Sequence, residues 1–298
     1  METNLKSTAI YAAQSAGKIL LDHFGRITEM DIVKNYKRDF TTKADLEAER
    51  AIIKIIKKKT PTYNIITEEA GAMRHRSPFT WIIDPLDGTT NYSIGNPFFG
   101  VSIALVKGRT PIIAVVYAPI LDWMFTAEIN AGAKLNNQPI EVSTKTKLDQ
   151  CLNVYCRGND DKNMNRMNKL YTSLSLKSKD FSRMRAGAYE LALVATGKLC
   201  SYINPGCKSH DVAAGALLVR EAGGRVTDFA GKEWDIDSED ILASNGKIHS
   251  KMILEVKKSL AENIKPTILK SNQKHNAKRP SSKNQKKKKK TSNIMIKH

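Results

Sequence analysis

A chain of 298 residues, 41% hydrophobic and 26% charged, carries enough apolar material for a sizeable core in one large domain or two. No apolar run approaches the ~20 residues that a membrane-spanning helix needs, which argues against an integral membrane protein. The net charge of +18 is uneven: residues 265–298 hold twelve Lys or Arg and no acid, leaving 36 basic against 30 acidic residues, or +6, elsewhere.

In chain order, residues 4–24 place Ile10, Ala13, Gly17, Leu20, Leu21 and Phe24 on one helical face, with Gly25 as the stop. Gln14, Ser15 and Lys18 interrupt this apolar pattern. The N-terminus therefore does not read as a secretory signal, and a cytoplasmic location is the default expectation. A second helix is predicted from Thr42 to just before Pro61, since Thr42-Lys43-Ala44-Asp45 has the form of a capping box with Asp replacing Glu. Short strands are expected at 63–67, 79–84, 98–106, 111–119 and 122–128, rich in β-branched and aromatic residues and separated by Gly or Pro. A strand at 151–156, a polar helix at 161–175, a helix at 187–197 and a strand at 199–203 come next. A helix at 209–222 stops at Gly223-Gly224, short strands lie near 225 and 241, and a helix from 247 to about 262 closes the series. The first half reads as antiparallel-rich and the second as β/α-alternating, so the expected class is α+β. Its two layered subdomains would be 1–150 and 151–264. Residues 265–298, with Pro280 and the run Lys286 to Lys290, hold too few apolar side chains to offset ordering entropy and are predicted to be disordered.

The four cysteines, Cys151, Cys156, Cys200 and Cys207, form no CxxC pair. Cys200, Cys207 and His210 lack the fourth ligand and the close cysteine pairing of a structural zinc site, so the thiols are read as reduced and idle.

The stretch "WIIDPLDGTTNY", residues 81–92, carries the chemistry. A buried strand runs into Asp84 and Asp87, held in a stiff turn by Pro85. Two such carboxylates repel unless a proton or a cation lies between them, and a hard divalent cation is the usual bridge. Gly88 permits close approach of a ligand, and Thr89-Thr90 can open a helix whose free N–H groups suit an anion. Cation and anion at one turn read as metal-assisted phosphate chemistry. Two further acidic sites stand out: Glu68-Glu69 at the end of "NIIT", and Asp211 in the first turn of "SHDVAAGALLVREAGG".

Taken together, "TEEAG", "WIIDPLDGTTNY" and "HDVAAGALLVREAGG" resemble, in order and spacing, the inositol monophosphatase family, across residues 1 to about 262. The resemblance implies a layered αβαβα sugar-phosphatase fold, a homodimer and a lithium-sensitive, Mg²⁺-dependent phosphatase of inositol 1-phosphate or a related small polyol phosphate. It implies that Glu68, Asp84 and the carbonyl of Leu86 hold one Mg²⁺, and that Asp84, Asp87 and Asp211 hold a second. Thr89, partnered by Asp45, would position a water for in-line attack, with Glu68 assisting. The Gly88 and Thr89 N–H groups would hold phosphate oxygens, and Asp87, Gly187, Asn204 and Asp211 would complete the substrate site.

The sequence also departs from the family pattern. His210 replaces a tryptophan before Asp211, Asn204 replaces an acid seven positions before it, and the usual G-S-A is matched to Gly187-Ala188-Tyr189. An altered substrate wall keeps fructose 1,6-bisphosphate and 3′-phosphoadenosine 5′-phosphate as alternative substrates. An RNA- or ribosome-associated role with secondary phosphatase activity is a further alternative. The Lys-rich tail would add non-specific polyanion contact.

Overall fold

Residues 4–36 and 39–261 are described by a computed structural model of the chain. The Lys-rich stretch 265–298, predicted to be disordered, lies outside them. The first part of the chain holds α1 (Leu5–His23), β1 (Ile32–Tyr36), β2 (Asp39–Thr42), α2 (Lys43–Lys59), β3 (Asn64–Thr67), β4 (Gly71–Met73) and β5 (Phe79–Asp87). After the short α3 (Thr89–Ser93) come β6 (Gly100–Lys107), β7 (Thr110–Ala118), β8 (Trp123–Glu128), β9 (Ala133–Leu135) and β10 (Gln138–Ile140). The second part holds β11 (Leu152–Tyr155), α4 (Asp161–Ser175), β12 (Asp180–Ser182), α5 (Gly187–Ala195) and β13 (Ser201–Pro205). It ends with α6 (Ser209–Glu221), β14 (Arg225–Thr227), β15 (Asp240–Ser244) and α7 (His249–Ala261).

An eight-stranded sheet has the order β10-β9-β8-β7-β6-β5-β3-β4, a five-stranded sheet the order β12-β11-β13-β15-β14, and β1 pairs with β2. Side chains alternate across a strand, and here both faces of the large sheet are buried. Trp81 and Ile83, Ile103 and Leu105, and Val115 and Tyr117 pack on one side with Ala9, Leu20 and Ile52 of α1 and α2. Ile82, Ala104, Val106 and Val116 point the other way, onto Leu191 and Val194 of α5 and Leu217 of α6. That same cluster reaches Tyr202, Val226 and Ala243 of the smaller sheet. Beyond it, Ile203 and Leu242 meet Met167 and Leu170 of α4 and Met252 and Val256 of α7. The layers are thus αβαβα, as expected.

The change of sheet falls between β10 and β11, near residue 150. All described residues nevertheless lie in one compact unit, because α5 and α6 serve both sheets. Strand 79–84 is longer than the sequence suggested: β5 runs on to Asp87, and its pairing with β6 shifts register between Asp84 and Asp87. Pro85, with no N–H to give a ladder, sits inside that bulge. The pairs β1–β2 and β9–β10, and the three-residue β4 and β12, went unread because such strands are too short to show a period. No helix among the described residues is long and apolar enough to cross a membrane.

Candidate active site

Three chain segments converge at the β5 bulge. β3 runs parallel to β5 and ends at Thr67, which delivers Glu68 beside Asp84. Glu69, its neighbour, is tied away by Lys34 Nζ at 2.8 Å and Thr41 Oγ1 at 2.7 Å. Glu49 of α2 accepts from the N–H groups of Glu69 at 3.1 Å and Ala70 at 3.3 Å, fixing this turn. The sequence flagged Glu68 and Glu69 as a pair; the structure separates their roles. Asp211 arrives from the first turn of α6.

Glu68, Asp84, Leu86, Asp87, Gly88, Thr89, Gly187, Asn204 and Asp211 all line one pocket of ≈160 Å³. Asp45 stands behind it, with Thr89 Oγ1 3.4 Å from Asp45 Oδ1 and 3.1 Å from the Leu86 carbonyl. The Thr42 N–H donates to Asp45 Oδ2 at 3.0 Å, closing the capping box of α2. Asp84 Oδ1 accepts from the Leu86 N–H at 3.0 Å. The backbone at Gly88 is left-handed, φ 94°, and a Cβ there would stand 3.1 Å from both Ala186 Cβ and the Phe98 carbonyl oxygen. Only glycine fits such a turn without strain.

Burial raises Asp84 well above the ordinary carboxylate range, helped by repulsion from Glu68, Asp87 and Asp211. Burial likewise pushes Asp87 up to about 7, although N–H groups at the start of α5 oppose it, including that of Tyr189 at 2.9 Å. Asp45 is raised to about 7, again chiefly by burial. Four mutually repelling carboxylates in one cavity call for positive charge between them. Their all-oxygen donor set, with a backbone carbonyl nearby, fits Mg²⁺. Among the described residues no group of three or more His, Cys, Asp or Glu side chains is drawn together closely enough to hold a metal ion as it stands.

Two expectations about the substrate wall are corrected. Ala188 and Tyr189 do not line the pocket; both are buried in α5, and Tyr189 stacks on Phe98 with ring centroids 4.3 Å apart. The left-handed residue of this lip is Arg185, φ 66°, so the glycine of a G-S-A element would belong there, two places before Gly187. His210 Nε2 lies 3.3 Å from Asp211 Oδ1. Sequence reading missed the cations of the pocket, Arg157, Arg183, Arg185 and Lys208. In a chain with 48 Lys and Arg, nothing in their spacing sets them apart.

The inositol monophosphatase family model matches residues 1–261. A Nus factor SuhB from Pasteurella multocida is 37% identical over 260 residues, covering 86% of this chain and 97% of that protein. An inositol-1-monophosphatase from Synechocystis is 37% identical over 246 residues, covering 82% and 85%. The solved structure of the extragenic suppressor protein SuhB from Bartonella henselae superposes with a TM-score of 0.82 at 31% identity, covering 86% of this chain and 99% of that one. With the layered fold, the carboxylate pocket and a match along nearly all of its described length, the chain belongs to the inositol monophosphatase family.

Proposed function

We propose that the chain is a Mg²⁺-dependent phosphomonoesterase acting on inositol 1-phosphate or a related small polyol or sugar phosphate. The observation that supports this most is the gathering of Glu68, Asp84, Asp87 and Asp211 with the Gly88-Thr89 turn on one small pocket. Glu68, Asp84 and the Leu86 carbonyl would hold one Mg²⁺, and Asp84, Asp87 and Asp211 a second. When bound, Mg²⁺ supplies Lewis acidity that makes water a nucleophile near neutral pH and neutralises the leaving oxygen. The N–H groups of Gly88 and Thr89 hold phosphate oxygens. Thr89 Oγ1 orients the attacking water, and Asp45 behind it, raised to about 7, takes up the proton. The start of α5 holds Asp87 in place through backbone N–H groups, so Gly187 acts here through that carboxylate as well as on the pocket wall. Asn204 offers its amide to substrate hydroxyls.

Replacing Asp87 by Asn tests the reading, because it removes one charge and keeps the shape. Mg²⁺-dependent phosphate release should fall by orders of magnitude while the unfolding midpoint stays near that of the parent; undiminished turnover would overturn the metal assignment. Excess Li⁺ should inhibit, as expected of the family, and sedimentation should show a homodimer. A release panel including fructose 1,6-bisphosphate and 3′-phosphoadenosine 5′-phosphate ranks the alternatives.

The relatives named Nus factor SuhB favour a second reading, a regulatory role alongside phosphate release, and the basic charge of the chain makes RNA the partner to test. An RNA pull-down with residues 1–264, scored beside the D87N protein, separates the two. RNA capture that survives D87N would make binding independent of turnover.

A further inference from the structure

Glu68, Asp84, Asp87 and the Gly88-Thr89 turn reach the pocket from the large sheet, but a second part of its lining comes from two loops of the smaller one. These are residues 156–159, after β11, and 204–208, between β13 and α6. The Gly158 N–H joins the loops by donating to the Pro205 carbonyl at 2.9 Å. Both loops then rest on the first turns of α4, a helix absent from the lining itself. Asn163 lies between their glycines. A Cβ added at Gly206 would stand 2.2 Å from Asn163 Nδ2, and one at Gly158 would stand 3.1 Å from Asn163 Cβ. Gly206 also has a left-handed backbone, φ 72°, so this approach suits glycine alone.

Polar bonds follow the same route. The Arg166 guanidinium donates to both oxygens of Asp240, Nη1 to Oδ1 at 2.7 Å and Nη2 to Oδ2 at 2.5 Å. Arg166 Nη1 donates as well to Asn163 Oδ1 at 2.9 Å. Asp240 Oδ1 accepts further from the Gly206 N–H at 3.2 Å, and Asn163 Nδ2 donates to Asp160 Oδ2 at 2.7 Å. One chain of bonds thus runs from the second loop through Asp240, Arg166 and Asn163 to the end of the first. The ion pair at its centre is mostly shielded, with side chains 24% and 14% exposed, and the Phe229 ring lies 5.3 Å from Arg166 Cζ. A two-pronged, shielded pair of this kind fixes geometry in a way that a surface pair does not. What it fixes has a use. Two residues before Gly206, the Asn204 amide donates through Nδ2 to the Tyr202 hydroxyl at 3.2 Å, while its Oδ1 is buried without a partner in the protein. A buried polar atom left in that state is costly unless a ligand satisfies it.

Resting on the phosphatase reading above, we propose that Asn163, Arg166 and Asp240 are positioning residues that set the wall of 156–159 and 204–208 against the hydroxyl-bearing part of the substrate. They govern which ester is held, and the large sheet governs how its phosphate is cleaved. The planar fork of Arg166 is essential to this role. A lysine there would keep the charge but could not serve both oxygens of Asp240 and the amide of Asn163 together.

The test uses the full chain with Mg²⁺ and compares the parent with Arg166→Lys and with the milder Asn163→Ala. Two esters are needed: inositol 1-phosphate, or the panel ester that the parent hydrolyses better, and p-nitrophenyl phosphate, whose aryl group carries no hydroxyl. In both variants KM for the polyol or sugar ester should rise about tenfold with kcat within about twofold, the mark of lost uniform binding. Both constants for p-nitrophenyl phosphate should stay within about twofold of the parent's. A variant that was only less well folded would lose both esters alike, because fewer active molecules lower kcat for each. Equal losses on the two esters, or parent kinetics in either variant, overturn the inference and leave the phosphatase reading standing. If the parent hydrolyses neither ester, the phosphatase reading fails for them, and amide hydrogen exchange decides whether α4 sets this wall. Exchange at Gly158, Gly206 and Cys207 that is about tenfold faster in Arg166→Lys, with β5 and β6 unchanged, retains the positioning role; unchanged exchange at the three amides removes it.

Discussion

His249 is 1% exposed, with Ser244 Oγ 2.8 Å from Nδ1 and Thr227 Oγ1 3.0 Å from Nε2. Burial pulls its pKa from 6.5 down to about 4. The unfolded chain therefore binds a proton at this residue between pH 6.5 and 4 that the folded chain refuses. Stability from the neutral ring is present above pH 6.5 and is lost as pH falls toward 4, by about 3 kcal/mol at the acid end. Urea unfolding at pH 7, 5.5 and 4.5 should show this loss, and His249→Gln, weaker at pH 7, should have a shallower acid slope. An equal slope in the two proteins would remove His249 from the account. Glu190 presents the opposite case. It is fully buried, accepts from the Met184 N–H at 2.7 Å, and has Cys156 Sγ 3.2 Å from Oε2. Burial pushes its pKa to about 8, so it is mostly protonated at neutral pH. Glu190→Gln should consequently change stability by less than about 1 kcal/mol at pH 7, whereas Glu190→Ala, which orphans the Met184 N–H and opens a void, should cost about 2–4 kcal/mol. Matching losses in the two variants would show that the carboxyl group itself, and not the shape or the hydrogen bond that Gln retains, is what Glu190 supplies. At this scale the pocket's acids were legible because carboxylates clustered at a strand end have few structural reasons to be there. Glu49 and Glu190 were not, since a lone Glu within a helix carries no signal of its partners.

Helices α5 and α6 form the middle layer, and their spacing carries the site. α6 brings Asp211, and the first N–H groups of α5 hold Asp87. Their approach is set by Gly215, where an added Cβ would stand 2.4 Å from Leu191 Cβ. Overpacking of that kind costs about 1–3 kcal/mol, because two helix backbones must separate. Gly215→Ala should therefore lower the melting temperature by several degrees and reduce phosphate release, as Asp211 and Asp87 move apart. Unchanged melting and turnover would mean that the layer yields without disturbing the site. The periodic elements were readable one by one: α1, α2, α4, α6 and β5 to β8 lie within a few residues of their predicted bounds. What periodicity could not supply was the continuation of β5 through a bulge, because Asp84-Pro85-Leu86-Asp87 has the composition of a turn. Nor could it supply the left-handed Arg185, since nothing in the residue type announces that backbone.

At the scale of the molecule, the five-layer arrangement followed from the family resemblance and not from element patterns, which are equally consistent with two separate layered halves. Charge is the property that the sequence alone distributes most clearly. Of the net +18, +6 belongs to residues 1–264 and the remainder to residues 265–298, outside the described structure. Twelve cations in that stretch, five of them consecutive from Lys286 to Lys290, and no aromatic residue for base stacking, suit a contact with polyanions that is blind to sequence. Neutralising ~4 to 6 phosphates would release as many counterions, so affinity for single-stranded RNA should fall log-linearly with salt, with a slope of about −3 to −4. Deleting residues 265–298 should abolish that salt-dependent binding in a filter or anisotropy assay. Release of phosphate from the preferred ester should be unaltered, because every residue assigned to the pocket precedes residue 212. If the shortened chain binds RNA with the same slope, the body's own cations carry the contact, and the pocket's arginines become the next residues to vary. A collapse of turnover on deletion would instead mean that the C-terminal stretch supports the catalytic body, and that the separation of charge into two independent parts does not hold.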